Sequence, residues 1–196
     1  MTSLSQSLAS IRNELDATTA RLHALVDTMD DVAWRAKPSP GRWSVAECVE
    51  HLNITSRAYV PLLRDALRDG RARGLTQPAA GNRLDLFGWL LVRSLEPPVK
   101  PRRRMKTPAP FVPPAIEAKS KVVAEYKELQ RELVAVLTDA EGLAISKIKV
   151  RSAFNAKLRY SVYSSFRVIA THQRRHLWQA EQAAKAQKPR GTVGAV

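Results

Sequence analysis

Apolar residues recur at helical steps over four long stretches of this chain, and that periodicity is what most limits the folds open to it. Leu4, Leu8, Ile11, Leu15, Leu22, Leu25 and Met29 follow one another at intervals of three, four or seven, which predicts a helix over about 3–29. Pro38, Pro40 and Gly41 then break the chain. Ser44-Val45-Ala46-Glu47 reads as a capping box, in which Ser44 caps the amide three residues on and Glu47 reaches back. Val45, Cys48, Val49, Leu52, Tyr59, Leu63 and Ala66 carry the second helix to about Asp69, with Gly70 as its expected stop and Pro61 as an expected kink. A third helix is expected over about 115–137, with Pro114 in its first turn and Ile116, Val123, Leu133 and Leu137 on its apolar face. A fourth is expected over about 159–187.

The stretch 71–114 behaves differently. Pro97-Pro98, Pro101, Pro108, Pro110 and Pro113-Pro114 forbid regular structure around a short helix expected over 84–95. Phe87, Trp89, Met105 and Phe111 are expected to pack part of this stretch on the body. Residues 144–157 alternate weakly through Ile145, Ile148 and Val150 and read as an extended loop more than a strand. There is no internal repeat and no βαβ alternation. The expected fold is therefore all-α: a four-helix bundle with a long crossover (71–114) between its second and third helices. It forms one domain over 1–187, followed by a flexible tail over 188–196.

Composition narrows the class further. With 196 residues the chain is long enough to bury a continuous core in one domain. No run approaches the roughly 20 apolar residues needed to cross a bilayer, and Met1-Thr2-Ser3-Leu4-Ser5 lacks the layout of a secretory signal. A single cysteine, Cys48, excludes an internal disulfide framework. A cytoplasmic location without membrane attachment is expected. The net charge is +14, with basic clusters over 64–73, 100–106, 147–159 and 185–190. Such a surface can hold nucleic acid or acidic small molecules. No nucleic-acid motif accompanies it, so the charge reads as a solvated basic shell in preference to a specific nucleic-acid surface, and the expected partner is a small-molecule substrate, with nucleic acid possible but not favoured.

Three of the four histidines form a pattern. His172 and His176 are four apart in Thr171-His172-Gln173-Arg174-Arg175-His176, so both rings lie on one helical face. At about 100° per residue, His176 lies roughly 60° and His172 roughly 100° from the core-facing direction, and His51 roughly 70° from that of the second helix. Shoulder positions on two helices can meet in a groove and make a three-nitrogen metal site with open positions. Spacing alone equally admits polar residues at the edge of a buried face. His23, beside Leu22, reads as a surface or edge histidine. Cys48 reads as a small core residue, and Glu47 as a cap more than an orienting acceptor for His51. Trp43 and Trp178 read as packing anchors.

Trp43-Ser44-x-x-Glu47-x-x-x-His51-Leu52 resembles the second-helix signature of the DinB/YfiT-like superfamily. Thr171-His172-Gln173-Arg174-Arg175-His176-Leu177-Trp178-Gln179 resembles its last-helix signature, and the proline-rich 102–114 stretch is also similar. The resemblance covers nearly the whole chain in motif order. It implies a four-helix bundle with a crossover and a divalent metal, zinc or nickel, held by His51, His172 and His176. It further implies a reaction like that of thiol S-transferases, with a low-molecular-weight thiol cosubstrate, or a hydrolase-like reaction. Arg175, next to His176, is the candidate substrate-binding residue for an acidic thiol, and a homodimer is compatible with the family. The catalytic residues are not read. The alternative is a non-enzymatic basic metal-binding protein of a stress response that binds nucleic acid or another acidic partner.

Overall fold

The computed structural model describes residues 5–76, 81–98, 106–114 and 116–187. Four long helices dominate it: α1 (Gln6–Asp27), α3 (Val45–Ala72), α5 (Lys119–Asp139) and α6 (Val162–Gln187). Between them lie a short α2 (Asp31–Arg35), α4 (Leu86–Leu95) in the crossover, a 3-10 turn (Ala109–Phe111), and two strands, β1 (Lys149–Arg151) and β2 (Arg159–Ser161). The expected tail over 188–196 and Met105 lie outside the described residues.

Helix direction can be read from side-chain pairs. Asn53 donates to the Val122 carbonyl at 3.0 Å, Arg57 pairs with Glu125, Arg64 pairs with Glu132 at 3.0 Å, and Arg71 donates to the Asp139 carbonyl. Numbers rise together on both helices, so α3 and α5 run parallel. The same holds for α1 and α6, where Glu14 pairs with Arg167 and Arg21 with Glu181. Across α3 and α6 the order reverses: Leu52 shares a core cluster with Leu177 and Ala180, while Leu63 and Leu67 share another with Phe166 and Ile169. Antiparallel helices can be joined by a tight turn, but parallel neighbours need a long return. The proline-rich crossover supplies that return, which is why the bundle has a loop-built wall on one side.

Several boundaries differ from the sequence expectation. The capping box at Ser44 and Glu47 forms with both hydrogen bonds, at 3.1 and 2.8 Å. Gly70, however, does not stop the helix. It lies inside α3, where an added Cβ would sit 2.3 Å from Ile148 Cδ1, and the chain turns instead at Gly74 with φ +64°. Pro61 sits within α3, which continues past it to Ala72. α5 begins at Lys119, well after Pro114, because the Arg35 guanidinium donates to the Ile116 and Glu117 carbonyls at 2.8 and 3.0 Å and holds that segment outside the helix.

Part of 144–157 is strand, not loop. β1 pairs antiparallel with β2, Val150 opposite Tyr160, and both side chains are buried in the core. Because 159–161 are taken by this pairing, α6 starts at Val162, and Ser161 caps it by accepting from Ser164 N at 3.1 Å. α4 corrects another expectation. Phe111 is buried as expected, but Phe87 and Trp89 are about half exposed, as is Leu90, with Leu86 more so, and form the outer face of the helix. The opposite face docks instead: Gly88 lies so close to α6 that a Cβ there would be 2.3 Å from Ser164 Cβ. Asp85 ties this junction, capping Gly88 N at 2.9 Å and accepting from Lys149 Nζ at 3.0 Å and from Ser161 N and Ser164 Oγ.

Candidate metal centre

The antiparallel run of α3 against α6 brings His51 to the level of His172 and His176. All three rings are buried, and one ring nitrogen from each lies within 4.8 Å of the other two. His51 Nε2 faces His172 Nε2 at 3.2 Å, and ring centroids are 4.4 to 5.0 Å apart among the three. The shoulder positions on the two helices meet in a groove as expected, and all three histidines line an open cleft.

Two contacts orient the rings. His51 Nδ1 donates to the Phe111 carbonyl at 2.7 Å, which puts its proton on that nitrogen and leaves the Nε2 lone pair toward the other histidines. The Trp43 ring stacks on His176 (5.6 Å, 27°) and lies against His51 (4.8 Å), while Phe154 packs on His172 at 5.6 Å. Trp43 therefore anchors packing, as the sequence suggested, and what it anchors is the histidine cluster. Phe111 was expected to pack, but its carbonyl role is invisible in sequence, because any residue has a carbonyl. Phe154 was missed altogether. It is an apolar residue in an irregular segment, and no periodicity points to it.

Burial, the dominant cause, holds all three imidazoles neutral near pH 7. His51 is pushed down to about 4, against the partial opposition of the Phe111 hydrogen bond. His172 and His176 are held well below the ordinary range first by burial, then by neighbouring imidazoles (His51 for His172, His172 and His51 for His176) and by the Arg175 charge. Neutral imidazole is the form that binds metal. His176 Nδ1 is buried with no hydrogen-bond partner, which is costly in a dry interior unless another group satisfies it. Three converging neutral imidazoles, one of them carrying an orphaned buried nitrogen, fit a divalent cation, and the donor set is all nitrogen.

Other sequence candidates fall elsewhere. Glu47 is engaged in its cap and pairs with Lys37 at 2.8 Å, so the Phe111 carbonyl, not Glu47, orients His51. Cys48 is a buried core residue, its thiol pushed up by burial. His23 packs edge-on against Tyr126, away from the cluster. Arg175 does reach the site. It lines the same cleft as the three histidines, a space of about 700 Å³ walled by α4, the Lys106–Pro108 segment and the hairpin. Trp178 lines it too.

A sequence model of the DinB superfamily matches residues 14–180, most of the chain and all of the residues just described. The chain belongs to the DinB superfamily. No curated protein and no solved structure matches it. The DinB assignment agrees with the mostly helical bundle and with its buried three-histidine group. Among the described residues of this DinB-superfamily protein, no helix is long and apolar enough to cross a membrane.

Proposed function

We propose that this DinB-superfamily protein is a divalent-metal-dependent enzyme acting on a small thiol or a small electrophile, in a transferase-like or hydrolase-like reaction. The observation that carries the reading is the convergence of His51, His172 and His176 on the floor of an open cleft. A structural metal site is closed by four protein ligands, whereas three ligands beside a cleft leave a position for substrate. When bound, a divalent metal lowers the pKa of a coordinated water or thiol and polarises a carbonyl. Three imidazoles suit zinc or nickel.

The chain's own residues do the remaining work. The Phe111 carbonyl fixes the His51 tautomer, and Trp43 and Phe154 pack against the rings and hold them against rotation. Arg175 contacts the substrate from the same helix face as His172, three residues away. The test is elemental analysis of untagged protein beside His51→Ala, followed by a screen of low-molecular-weight thiols with electrophilic acceptors. About one divalent metal per chain, lost in the variant, and turnover that stops on chelation support the reading. Undiminished metal in His51→Ala sinks the ligand set.

A further inference from the structure

Arg175 is only 7% exposed, yet among the described residues its one hydrogen-bond partner is the Ser94 carbonyl at 3.5 Å, the outer limit for such a bond. No described carboxylate pairs with it. The contrast along α6 is sharp: Arg167 and Arg174, both more exposed, take Glu14 at 3.0 and 2.7 Å, and Arg174 also takes Glu96 at 2.8 Å. The acids in this region thus serve the outer arginines, while the inner one has none. A guanidinium withdrawn from water without a counter-charge is unfavourable unless a partner arrives.

The cleft around it has a matching character. Among the described residues its lining holds three cations, Arg42, Lys106 and Arg175, and no aspartate or glutamate. The histidines bring no negative charge. Much of the remaining wall is apolar: Leu91 and Leu95 from α4, Phe154 and Leu158 from the hairpin region, and Val168 from α6. A space of about 700 Å³ with this lining is in the range that takes an organic molecule and not only a small inorganic ion.

We propose that the cleft binds an organic acid, its carboxylate paired with the planar fork of Arg175 and its apolar body against Leu91, Leu95, Phe154 and Leu158. This deepens the reading of the cleft as a substrate site and names the substrate class. It does not depend on metal, because the pairing is with the guanidinium.

Calorimetric titration of chelator-treated protein with octanoate, octanol and acetate tests it, with Arg175→Met in parallel. Octanoate is expected to bind, and octanol and acetate at least roughly tenfold more weakly. Arg175→Met is expected to weaken octanoate by about 10- to 100-fold, the value of a hydrogen bond to a charged group, and to leave octanol unchanged. Arg175→Lys keeps the charge without the fork and is expected to fall between the two, which preserves the test should Arg175→Met fail to fold. Octanol binding as tightly as octanoate, octanoate failing to bind, or an undiminished octanoate affinity in both variants would overturn the proposal. Metal content, measured on the same preparations before chelation, separates the two readings. A metal-loaded protein that ignores octanoate loses this one alone. A metal-free protein that binds octanoate through Arg175 loses the metal reading alone.

Discussion

The buried histidines tie the stability of the metal-free protein to pH, and the sign follows from their burial. His51 titrates near 6.5 in the unfolded chain but only at about 4 when folded. Between those values the unfolded state carries a proton that the folded state refuses, so unfolding takes up protons and stability rises with pH. The stabilisation is fully present above pH 6.5 and is lost as pH falls through 6.5 toward 4. At about 1.4 kcal/mol for each pH unit separating the two values, His51 alone accounts for about 3 kcal/mol over the whole window, and for about 1.4 kcal/mol by pH 5.5. His172 and His176 are depressed in the same direction, chiefly by burial, and add to the loss. Against the roughly 5–15 kcal/mol of a typical domain this is a large fraction. Urea unfolding followed by circular dichroism, in chelator, at steps from pH 7.5 to 5.0, is the assay. Midpoints should fall steadily below pH 6.5, and His51→Gln should show a shallower fall than wild type. A stability that is flat from pH 7.5 to 5.5, or a His51→Gln profile as steep as wild type, would refute the assignment of three buried neutral imidazoles.

Three other outcomes are expected. Zinc or nickel at about 100 times its Kd should stabilise the protein by about 2.7 kcal/mol and raise Tm by about 5–10 °C, reversed by chelator; a Tm indifferent to added metal in a scanning calorimeter counts against the centre. Gly88→Ala should destabilise by about 1–3 kcal/mol, because the new Cβ meets Ser164 Cβ at 2.3 Å and the α4 wall must shift, outweighing the helix-propensity gain; a neutral or stabilising result in urea would show that α4 does not dock as described. Asp85→Ala should cost about 2–3 kcal/mol by removing the α4 cap and a charge-assisted bond to Lys149, and hydrogen exchange in 86–95 should accelerate; unchanged exchange there would argue that the junction is held by packing alone.

What was legible in the sequence is what is carried by local periodicity and by side-chain identity. The four long helices follow from apolar recurrence, and the α3 start follows from Ser44 and Glu47 alone. His51, His172 and His176 were legible as a set only because His172 and His176 share a helical face by spacing, while the approach of His51 rested on resemblance. The losses have a common cause: each depends on a contact with a distant segment. Gly70 reads as a stop until Ile148 is packed against it. Residues 149–151 and 159–161 are too short to show a strand pattern, and only their pairing makes them strands. Phe87 and Trp89 read as buried by composition, but Gly88 turns α4 so that they face outward.

Arg175 shows the same limit from the other side. Its neighbours in sequence, Arg174 and His176, suggested a basic helix with a histidine pair, and a solvated arginine would fit that equally well. Its meaning comes from what the fold withholds. Glu14 and Glu96 approach α6 at Arg167 and Arg174, about two turns and one residue away, and none of the described acids reaches Arg175. A fold that needed Arg175 only for stability would do better with a methionine there, since an uncompensated buried charge costs more than the apolar side chain that replaces it. The Arg175→Met variant should therefore be at least as stable as wild type without ligand, and weaker only in holding the acid. A variant less stable than wild type would mean that the arginine also holds the cleft wall in place, and Arg175→Lys then decides whether its charge holds the acid.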